Sequence, residues 1–248
     1  MESITSIQNP KIKNYNKLKK KRERDKQNRI IVEGFHLVEE AVRSDVKMTQ
    51  LFLIDPQRVP AEWIEVAEEV YMITQKVAES LSGTVTPQGV FAVLEKPHVA
   101  VLDAKQVLVL DRIQDPGNLG TLIRTADAAG LDLVVLTKGT ADVYQDKVLR
   151  ASQGSVFHLP IQYIEEGVQW LASFDGPIYG TSLQHATTYH QVPSQQPTFA
   201  LVLGNEGEGV ANELLEQTTQ NLRIPIYGQA ESLNVAVAAG ILMFYLKG

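Results

Sequence analysis

Residues 106–130 read QVLVLDRIQDPGNLGTLIRTADAAG and carry the strongest indication of fold in the chain. They begin with an unbroken apolar run, Val107 to Leu110, which is typical of a parallel strand buried on both faces. A proline–glycine turn then leads into a helix predicted from about Asn118 to Ala129, with Gly130 closing it. This stretch therefore predicts a strand that leads through a tight turn into a helix.

The same alternation of apolar runs and helical segments continues to the C-terminus, where the last helix is predicted from Ser232 to Leu246. Alternating strands and helices form an α/β fold with a parallel sheet covered on both faces. We therefore predict a doubly wound parallel sheet. Its further strands are predicted at 132–136, 156–159, 177–180, 198–203 and 222–225.

The N-terminal part has its own, shorter alternation of strands and helices. It opens with one helix predicted from Ser6 to about residue 27, and its last strand is predicted at 89–95. This pattern indicates a separate small α/β/α domain. The chain is accordingly divided into a domain at residues 1–96, a proline-marked linker at 97–105 and a second domain at 106–248.

Composition excludes several classes of protein. The 248 residues contain no cysteine, which rules out disulfides, thiolate catalysis and cysteine metal sites. There is no secretory signal, and the apolar stretch Val235 to Leu246 is too short to span a bilayer, so we expect no membrane partner and a cytoplasmic location. No metal is expected, because the histidines lack metal-ligand spacing; they are His36, His98, His158, His185 and His190.

Charge is distributed unevenly along the chain. Residues 1–30 hold ten lysines and arginines against three acidic residues, a net +7, so the other 218 residues carry −13 of the total −6. A basic segment on an acidic body suits local binding of a polyanion, whereas the alternative is a solvated helix without a partner. The residues that we expect to contact such a polyanion in this segment are Lys11, Lys19, Lys20, Lys21 and Arg22.

The turn after the first strand of the second half carries polar groups suited to a site. Asn118 can cap the helix that starts there, and Arg124 follows six residues later, within two helical turns. Helix N-terminal amides and an arginine together favour an anion such as a phosphodiester. The alternative is a capped helix in which Arg124 pairs with Asp127 or Asp115.

Two more loops follow apolar runs. Gly204-Asn-Glu-Gly-Glu-Gly lacks the ending of a nucleotide phosphate loop, so it either wraps a cofactor with Glu206 held inward or is a plain turn. The segment Ile224-Pro-Ile to Leu233 leads into the last helix, with Ser232 as the expected N-cap and Asn234 close to the helix start. No dinucleotide fingerprint follows the first strand.

Taken together, Asp115-Pro-Gly-Asn-Leu-Gly…Ile-Arg-Thr-Ala, Leu203-Gly-Asn-Glu-Gly and Ile224-Pro…Ser232-Leu-Asn-Val resemble the three signature motifs of the SpoU/TrmH group of SPOUT RNA methyltransferases. The resemblance covers residues 105–248. Arg150-Ala-Ser-Gln-Gly also resembles a recurrent segment of that family, and Arg150 is a further candidate for RNA contact. The first ~95 residues resemble, less sharply, the L30e-like RNA-binding domain often joined to it.

This resemblance implies a homodimer with a trefoil knot, S-adenosylmethionine as methyl donor and a ribose 2′-hydroxyl of RNA as acceptor. Ribosomal RNA of the 23S type is preferred; transfer RNA and a non-catalytic RNA-binding protein are the alternatives. The reaction centre implied by the resemblance comprises Asn118, Arg124, Glu206 and Asn234. The implied cofactor site comprises Leu203, Gly204, Asn205, Gly207, Ile224, Pro225, Ser232 and Leu233.

A guanidinium is almost never deprotonated in proteins. We therefore interpret Arg124 as a group that binds the phosphate beside the target ribose and stabilises developing alkoxide charge. Glu206 would orient either Arg124 or Asn118.

Overall fold

The computed structural model describes residues 1–97, 101, 103–182 and 185–248; the predicted linker at 97–105 lies partly outside these residues, and His98 wholly. The strands are β1 Glu2–Ile4, β2 Arg29–Glu33, β3 Met48–Leu53, β4 Glu69–Ile73, β5 Val90–Glu95, β6 Gln106–Leu110, β7 Leu133–Thr137, β8 Ile161–Ile164, β9 Ile178–Thr181, β10 Ala186–Thr188, β11 Phe199–Leu203 and β12 Gln220–Arg223. The helices are α1 Pro10–Lys17, α2 Lys21–Gln27, α3 Phe35–Arg43, α4 Ala61–Val66, α5 Gln75–Leu81, α6 Pro116–Ala128, α7 Asp146–Ser152, α8 Gly167–Ala172, α9 Asn212–Leu215 and α10 Val235–Lys247.

The chain forms two compact units, and neither of them is one continuous segment of the sequence. One unit joins Met1–His98 to Tyr144–Phe157, and the other joins Val99–Val143 to His158–Gly248. Helix α7 therefore belongs to the unit built mainly from the N-terminal residues. The two residues that follow α7 contact α3. The His36 ring lies 3.1 Å from the Gln153 carbonyl oxygen, and Gly154 approaches Glu40 so closely that an added Cβ would lie 2.6 Å from that side chain.

The second unit is built on a seven-stranded sheet in the order β10-β12-β9-β11-β6-β7-β8, in which the recorded pairings are parallel. Strands β6, β7 and β11 are almost wholly apolar and buried, as expected for central strands covered by helices. Register pairs Leu110 with Leu203, so the loops after β6 and β11 leave the same edge side by side. The predicted parallel sheet is confirmed; the trefoil knot stays a prediction.

The first unit has a mixed five-stranded sheet in the order β1-β4-β3-β5-β2. Its core includes Tyr15, which meets Phe52 and Phe91 edge to face at centroid distances of 5.8 and 6.1 Å. Strand β1 adds to the edge by parallel pairing with β4. It was not predicted from the sequence, because three residues are too few to show a period.

The single helix predicted to residue 27 is wrong: α1 ends at Lys17, and α2 begins at Lys21. Arg24 turns back and donates to the carbonyl oxygens of Leu18 and Lys19 at 2.8 and 2.9 Å, which satisfies backbone groups at the break. Mutual repulsion along the basic run also disfavours a continuous helix. The strand predicted at 156–159 is wrong too, because Ser155–Phe157 form a 3-10 turn.

Within the described part of the chain, no helix combines the length and apolar character needed to cross a bilayer.

Candidate active site

A cavity of about 930 Å³ opens in the second unit beyond the carboxyl ends of β9, β11 and β12. Ligands of open α/β sheets bind at such an edge. Apolar side chains such as Leu222 and Leu242 form part of the wall. The lining also includes these predicted cofactor residues: Leu203, Gly204, Asn205, Gly207, Ile224, Ser232 and Leu233. Pro225 is outside the lining, although Ile224 and Ile226 on either side belong to it.

The loop after β11 leaves no room for a side chain at its first residue, Gly204. A Cβ added to Gly204 would lie 2.1 Å from the backbone carbon of Gly209. Asn205 Oδ1 accepts from the backbone amides of Gly207 and Glu208 at 2.8 and 3.1 Å. The Asn205 side chain therefore shapes this loop, and the glycines leave backbone groups accessible at the cavity wall.

Three of the four residues predicted for the reaction centre form one hydrogen-bonded row. Asn118 Nδ2 donates to Glu206 Oε1 at 2.9 Å, and Asn234 Nδ2 donates to Asn118 Oδ1 at 3.0 Å. Glu206 and Asn234 both line the cavity. This row joins the three segments singled out in the sequence. Of the two partners considered for Glu206, the hydrogen bond is to Asn118 and not to Arg124.

Both helices that supply this row are capped by different residues than expected. Asp115 Oδ1 accepts from the Asn118 amide at 2.8 Å, so Asp115 is the N-cap of α6 and Asn118 is already helical. Asn234 Oδ1 accepts from the amides of Ala236 and Val237, so Asn234 rather than Ser232 caps α10. Asp115 thereby fixes the backbone at Asn118, and Asn234 fixes the first turn of α10.

Arg124 lies on α6, six residues after Asn118, and is exposed. Among the described residues it makes no hydrogen bond or ion pair, so the alternative pairing with Asp127 or Asp115 is absent. Asp127 instead lies 2.9 Å from the His158 ring. The guanidinium of Arg124 is thus available to an external anion, and it does not line the cavity itself.

An ion pair with a buried carboxylate, behind the glycine loop, was missed from the sequence. Asp111, only 3% exposed, accepts from Thr137 Oγ1 and from the amide of Ala211, each at 2.9 Å. Arg112 contacts this carboxylate and also donates to Glu208 at 2.7 Å. Hydrogen bonding to Asp111 raises the pKa of Arg112 above its usual value. The pair anchors both ends of the loop that carries Glu206, and the signal for it was an aspartate directly after an apolar strand.

Other cavity residues were also missed or interpreted differently. Thr181 and Ser182 line the cavity at the end of β9, and His185, to which we assigned no role from the sequence, is exposed and also lines it. The lining carries four carboxylates against the single guanidinium of Arg223; they belong to Glu206, Glu208, Glu216 and Glu231. A cavity of this charge favours a cationic ligand over a polyanion.

The residues predicted to bind RNA all lie in the first unit. Lys20, Lys21 and Arg22 are exposed. Lys11 instead pairs with Glu69 at 2.7 Å, and this contact, helped by Gln50, lowers the pKa of Glu69 to about 2.

Lys19 and Arg150 each contact a neighbouring group in the unit. Lys19 Nζ donates to the Ser80 carbonyl oxygen at 3.4 Å, and burial lowers the pKa of Lys19. Arg150 forms an ion pair with Asp146 on the same helix. Both side chains remain on the surface of the unit.

One group of possible metal ligands occurs among the described residues, at His36, Glu39 and Glu40 on α3. Arg43 forms ion pairs with both carboxylates at 2.8 and 3.1 Å. The His36 ring faces the Gln153 carbonyl. These contacts account for the cluster without an ion.

Comparisons with known proteins agree with the motifs. Residues 105–244 match the SpoU rRNA Methylase family, and residues 9–92 match the MRM3-like substrate binding domain. The chain is 46% identical, over all of both chains, to the 23S rRNA (guanosine(2553)-2′-O)-methyltransferase RlmP of Bacillus subtilis. The predicted kinship is confirmed.

Solved structures show the same fold. The AdoMet-bound rRNA methyltransferase of Sinorhizobium meliloti superposes with a TM-score of 0.88 at 31% identity, covering 99% of this chain and 97% of that one. The SpoU methyltransferase AviRb of Streptomyces viridochromogenes, in complex with AdoMet, gives 0.82 at 26% identity, covering 96% and 97%.

Proposed function

Because the chain belongs to the SpoU rRNA methylase family, we propose that it methylates a ribose 2′-hydroxyl of 23S ribosomal RNA, with S-adenosylmethionine as the methyl donor. The observation that carries this proposal is the row Asn234–Asn118–Glu206 at the rim of the cavity, with the free Arg124 on the same helix as Asn118. A non-catalytic protein would have no need to keep all four groups.

The cavity suits the proposed donor in shape and charge. Its apolar walls and glycine-loop backbone fit an adenosine, and its carboxylates fit a sulfonium cation. The residues proposed to hold it are the predicted eight; the backbone of Gly204, Gly207 and Ile224 serves for hydrogen bonds, and Pro225, outside the lining, fixes the chain beside Ile224. When bound, the group supplies an electrophilic methyl carbon.

The polar row and Arg124 would then act on the RNA. Asn118 is held on both sides, by Glu206 and by Asn234, so its amide has one orientation and can position the target ribose. Arg124 binds the phosphate next to that ribose and stabilises the negative charge that develops on the 2′-oxygen. The hydroxyl proton leaves to that phosphate or to water.

Each domain has a separate proposed role. Residues 1–96 bind the RNA substrate, mainly through the exposed cations that follow α1, residues 97–105 link the domains, and residues 106–248 form the methyltransferase domain. Since the substrate is ribosomal RNA, the proposed place of action is the cytoplasm. No metal takes part in the proposed reaction.

The exposed face of α10 supports a homodimer. Val237, Ile241 and Phe244 are 52%, 36% and 53% exposed and recur at helical spacing, while Ala238 and Leu242 on the other side line the cavity. An apolar helix face of this kind suits an isologous contact with a second copy. Dimerisation through α10 would place the cavity beside the subunit interface.

The direct test is methyl transfer to an RNA transcript that covers guanosine 2553 of 23S rRNA, followed by mapping of 2′-O-methylated positions. Calorimetric titration with S-adenosylmethionine, for wild type, Arg124→Ala and a Gly204 variant, separates cofactor binding from catalysis. We expect micromolar binding that is lost in the Gly204 variant alone. Absence of binding, with or without RNA, would overturn the proposal.

A further inference from the structure

The loop at residues 82–88, between α5 and β5, presents an apolar side chain at its tip. Val85 is wholly exposed, with a relative accessibility of 102%, more than any other large hydrophobic side chain recorded in the described residues. Single exposed hydrophobic residues are common. The loop that carries Val85, however, is fixed by several hydrogen bonds and lies beside charged side chains.

The loop is held from beneath by the carboxylate of Glu33. This carboxylate accepts from Ser82 Oγ at 2.5 Å, from the Gly83 amide at 2.9 Å and from Thr84 Oγ1 at 3.2 Å. Ser82 Oγ also accepts from the Thr84 amide at 2.9 Å. A loop fixed in this way loses little conformational entropy when its tip contacts a ligand.

Two cations from distant parts of the sequence flank this loop. Lys19 donates to the carbonyl oxygen of Ser80, at the end of the helix that leads into the loop. On the other side, a Cβ at Gly83 would lie 2.6 Å from the Asp146 carboxylate and 3.6 Å from Nη1 of Arg150, which pairs with that carboxylate. The charges of Lys19 and Arg150 thus offset those of Glu33 and Asp146, and the exposed Lys20, Lys21 and Arg22, which follow Lys19 directly in the chain, add further positive charge to the unit.

We propose that Val85 packs against an unpaired base of the RNA substrate while Lys19, Arg150 and the neighbouring cations bind the flanking phosphates. An unpaired base can be turned out so that its face is open to a protein side chain, whereas the bases of an RNA duplex are stacked on one another. The loop thereby gives the N-terminal unit a preference for unpaired RNA that charge alone would not provide. This inference rests on the proposed function, since it assumes an RNA substrate.

The test measures the dissociation constant for RNA at several salt concentrations. The probes are a hairpin transcript containing the 23S rRNA loop around guanosine 2553 and a fully paired RNA of equal length. The variants are Val85→Ser, Val85→Phe and Lys20→Gln. Val66→Ser, an exposed valine at the end of α4, is the matched control.

Val85→Ser should weaken hairpin binding about five- to tenfold and leave duplex binding unchanged, and Val85→Phe should retain or tighten hairpin binding. The slope of log affinity against log salt should be unaltered in both, whereas Lys20→Gln should reduce it by about 0.7 to 0.9. Unchanged hairpin binding by Val85→Ser, or equal losses on hairpin and duplex, would overturn the inference. Failure of the wild-type protein to bind either RNA would instead overturn the proposed function.

Discussion

Asn118 on α6 and Glu206 in the loop after β11 are 88 residues apart in sequence, yet their side chains meet at 2.9 Å. The contact depends on strand order, because β6 and β11 are neighbours in register and their following segments leave the sheet together. Asn234 then approaches Asn118 from the start of α10. The site is therefore assembled by the sheet edge, and each member can be tested separately.

Replacing Glu206 tests whether it acts by orienting Asn118. Glu206→Gln retains an oxygen acceptor for Asn118 Nδ2 and should reduce kcat by less than about fivefold, whereas Glu206→Ala should reduce it by about 100-fold. In a double-mutant cycle with Asn118→Ala the losses should be non-additive by about 1–2 kcal/mol. Glu213→Ala, an exposed carboxylate on α9 outside the cavity lining, is the control; an equal loss in Glu213→Ala would contradict this role.

We expect Arg124 to contribute to the turnover number and not to the stability of the fold. Because it is exposed and free of partners among the described residues, Arg124→Ala should leave the midpoint of thermal unfolding unchanged while kcat falls about 100- to 1000-fold. Arg124→Lys should restore little, because an ammonium lacks the planar fork that binds a phosphate in two places. Near-normal turnover of Arg124→Lys at saturating substrate would refute the assignment.

Glycine substitutions test the cofactor loop. Gly204→Ala should abolish detectable binding of S-adenosylmethionine in calorimetry and lower the unfolding temperature, since its Cβ would lie 2.1 Å from Gly209. Gly228→Ala is the matched control, because a Cβ there meets nothing within 4 Å. Similar binding by the two variants would show that the loop shape is unimportant for the donor.

The exposed face of α10 predicts the oligomeric state. Phe244→Glu would place a charge on this face, and light scattering should then give the monomer mass where the wild type gives that of a dimer. Phe35→Glu, at the start of α3 in the other unit, is a control for a general effect of lost aromatic surface. A monomeric wild-type protein would exclude this use of the face.

The ion pair of Lys11 with Glu69 predicts a dependence of stability on acid pH. The hydrogen bond from Lys11 lowers the folded-state pKa of Glu69 from its ordinary value of 4.5 to about 2. A depressed carboxylate pKa stabilises the fold above the unfolded value, and this contribution is lost as the pH falls from about 4.5 towards 2. The unfolding temperature of wild type should therefore fall faster than that of Glu69→Gln across this window, by a small amount because the pair is exposed.

Parallel curves for the two proteins between pH 5 and 2.5 would show that this pair contributes nothing to stability.

The central strands could be predicted from the sequence because they are continuous apolar runs, as at Val107 to Leu110 and in β11. The motifs at the strand ends were also visible, since glycine and proline mark the turns. The N-caps of the helices were predicted less well. Serine and asparagine are both good N-cap residues, so the sequence alone does not show whether Ser232 or Asn234 caps α10. The choice depends on Asn234 also reaching Asn118.

Other features depend on distant contacts, and the local sequence gives no specific signal for them. Asp111 follows a strand like many surface aspartates, and only the fold brings Thr137, Arg112 and the amide of Ala211 around it. The break between α1 and α2 arises because the Arg24 side chain reaches the carbonyl groups of Leu18 and Lys19. Helical propensity alone favours continuing through these residues.

The placement of Tyr144–Phe157 in the first unit has a consequence for synthesis of the protein. Small domains usually fold in order as they leave the ribosome, at about 5–20 residues per second. Here the N-terminal unit lacks α7 until residue 157 has emerged, which takes about 3 to 12 seconds after residue 98 at that rate. During that interval the nascent chain has an unfinished first unit while part of the second has already emerged, and a chain cut after residue 97 would keep the first unit permanently without α7.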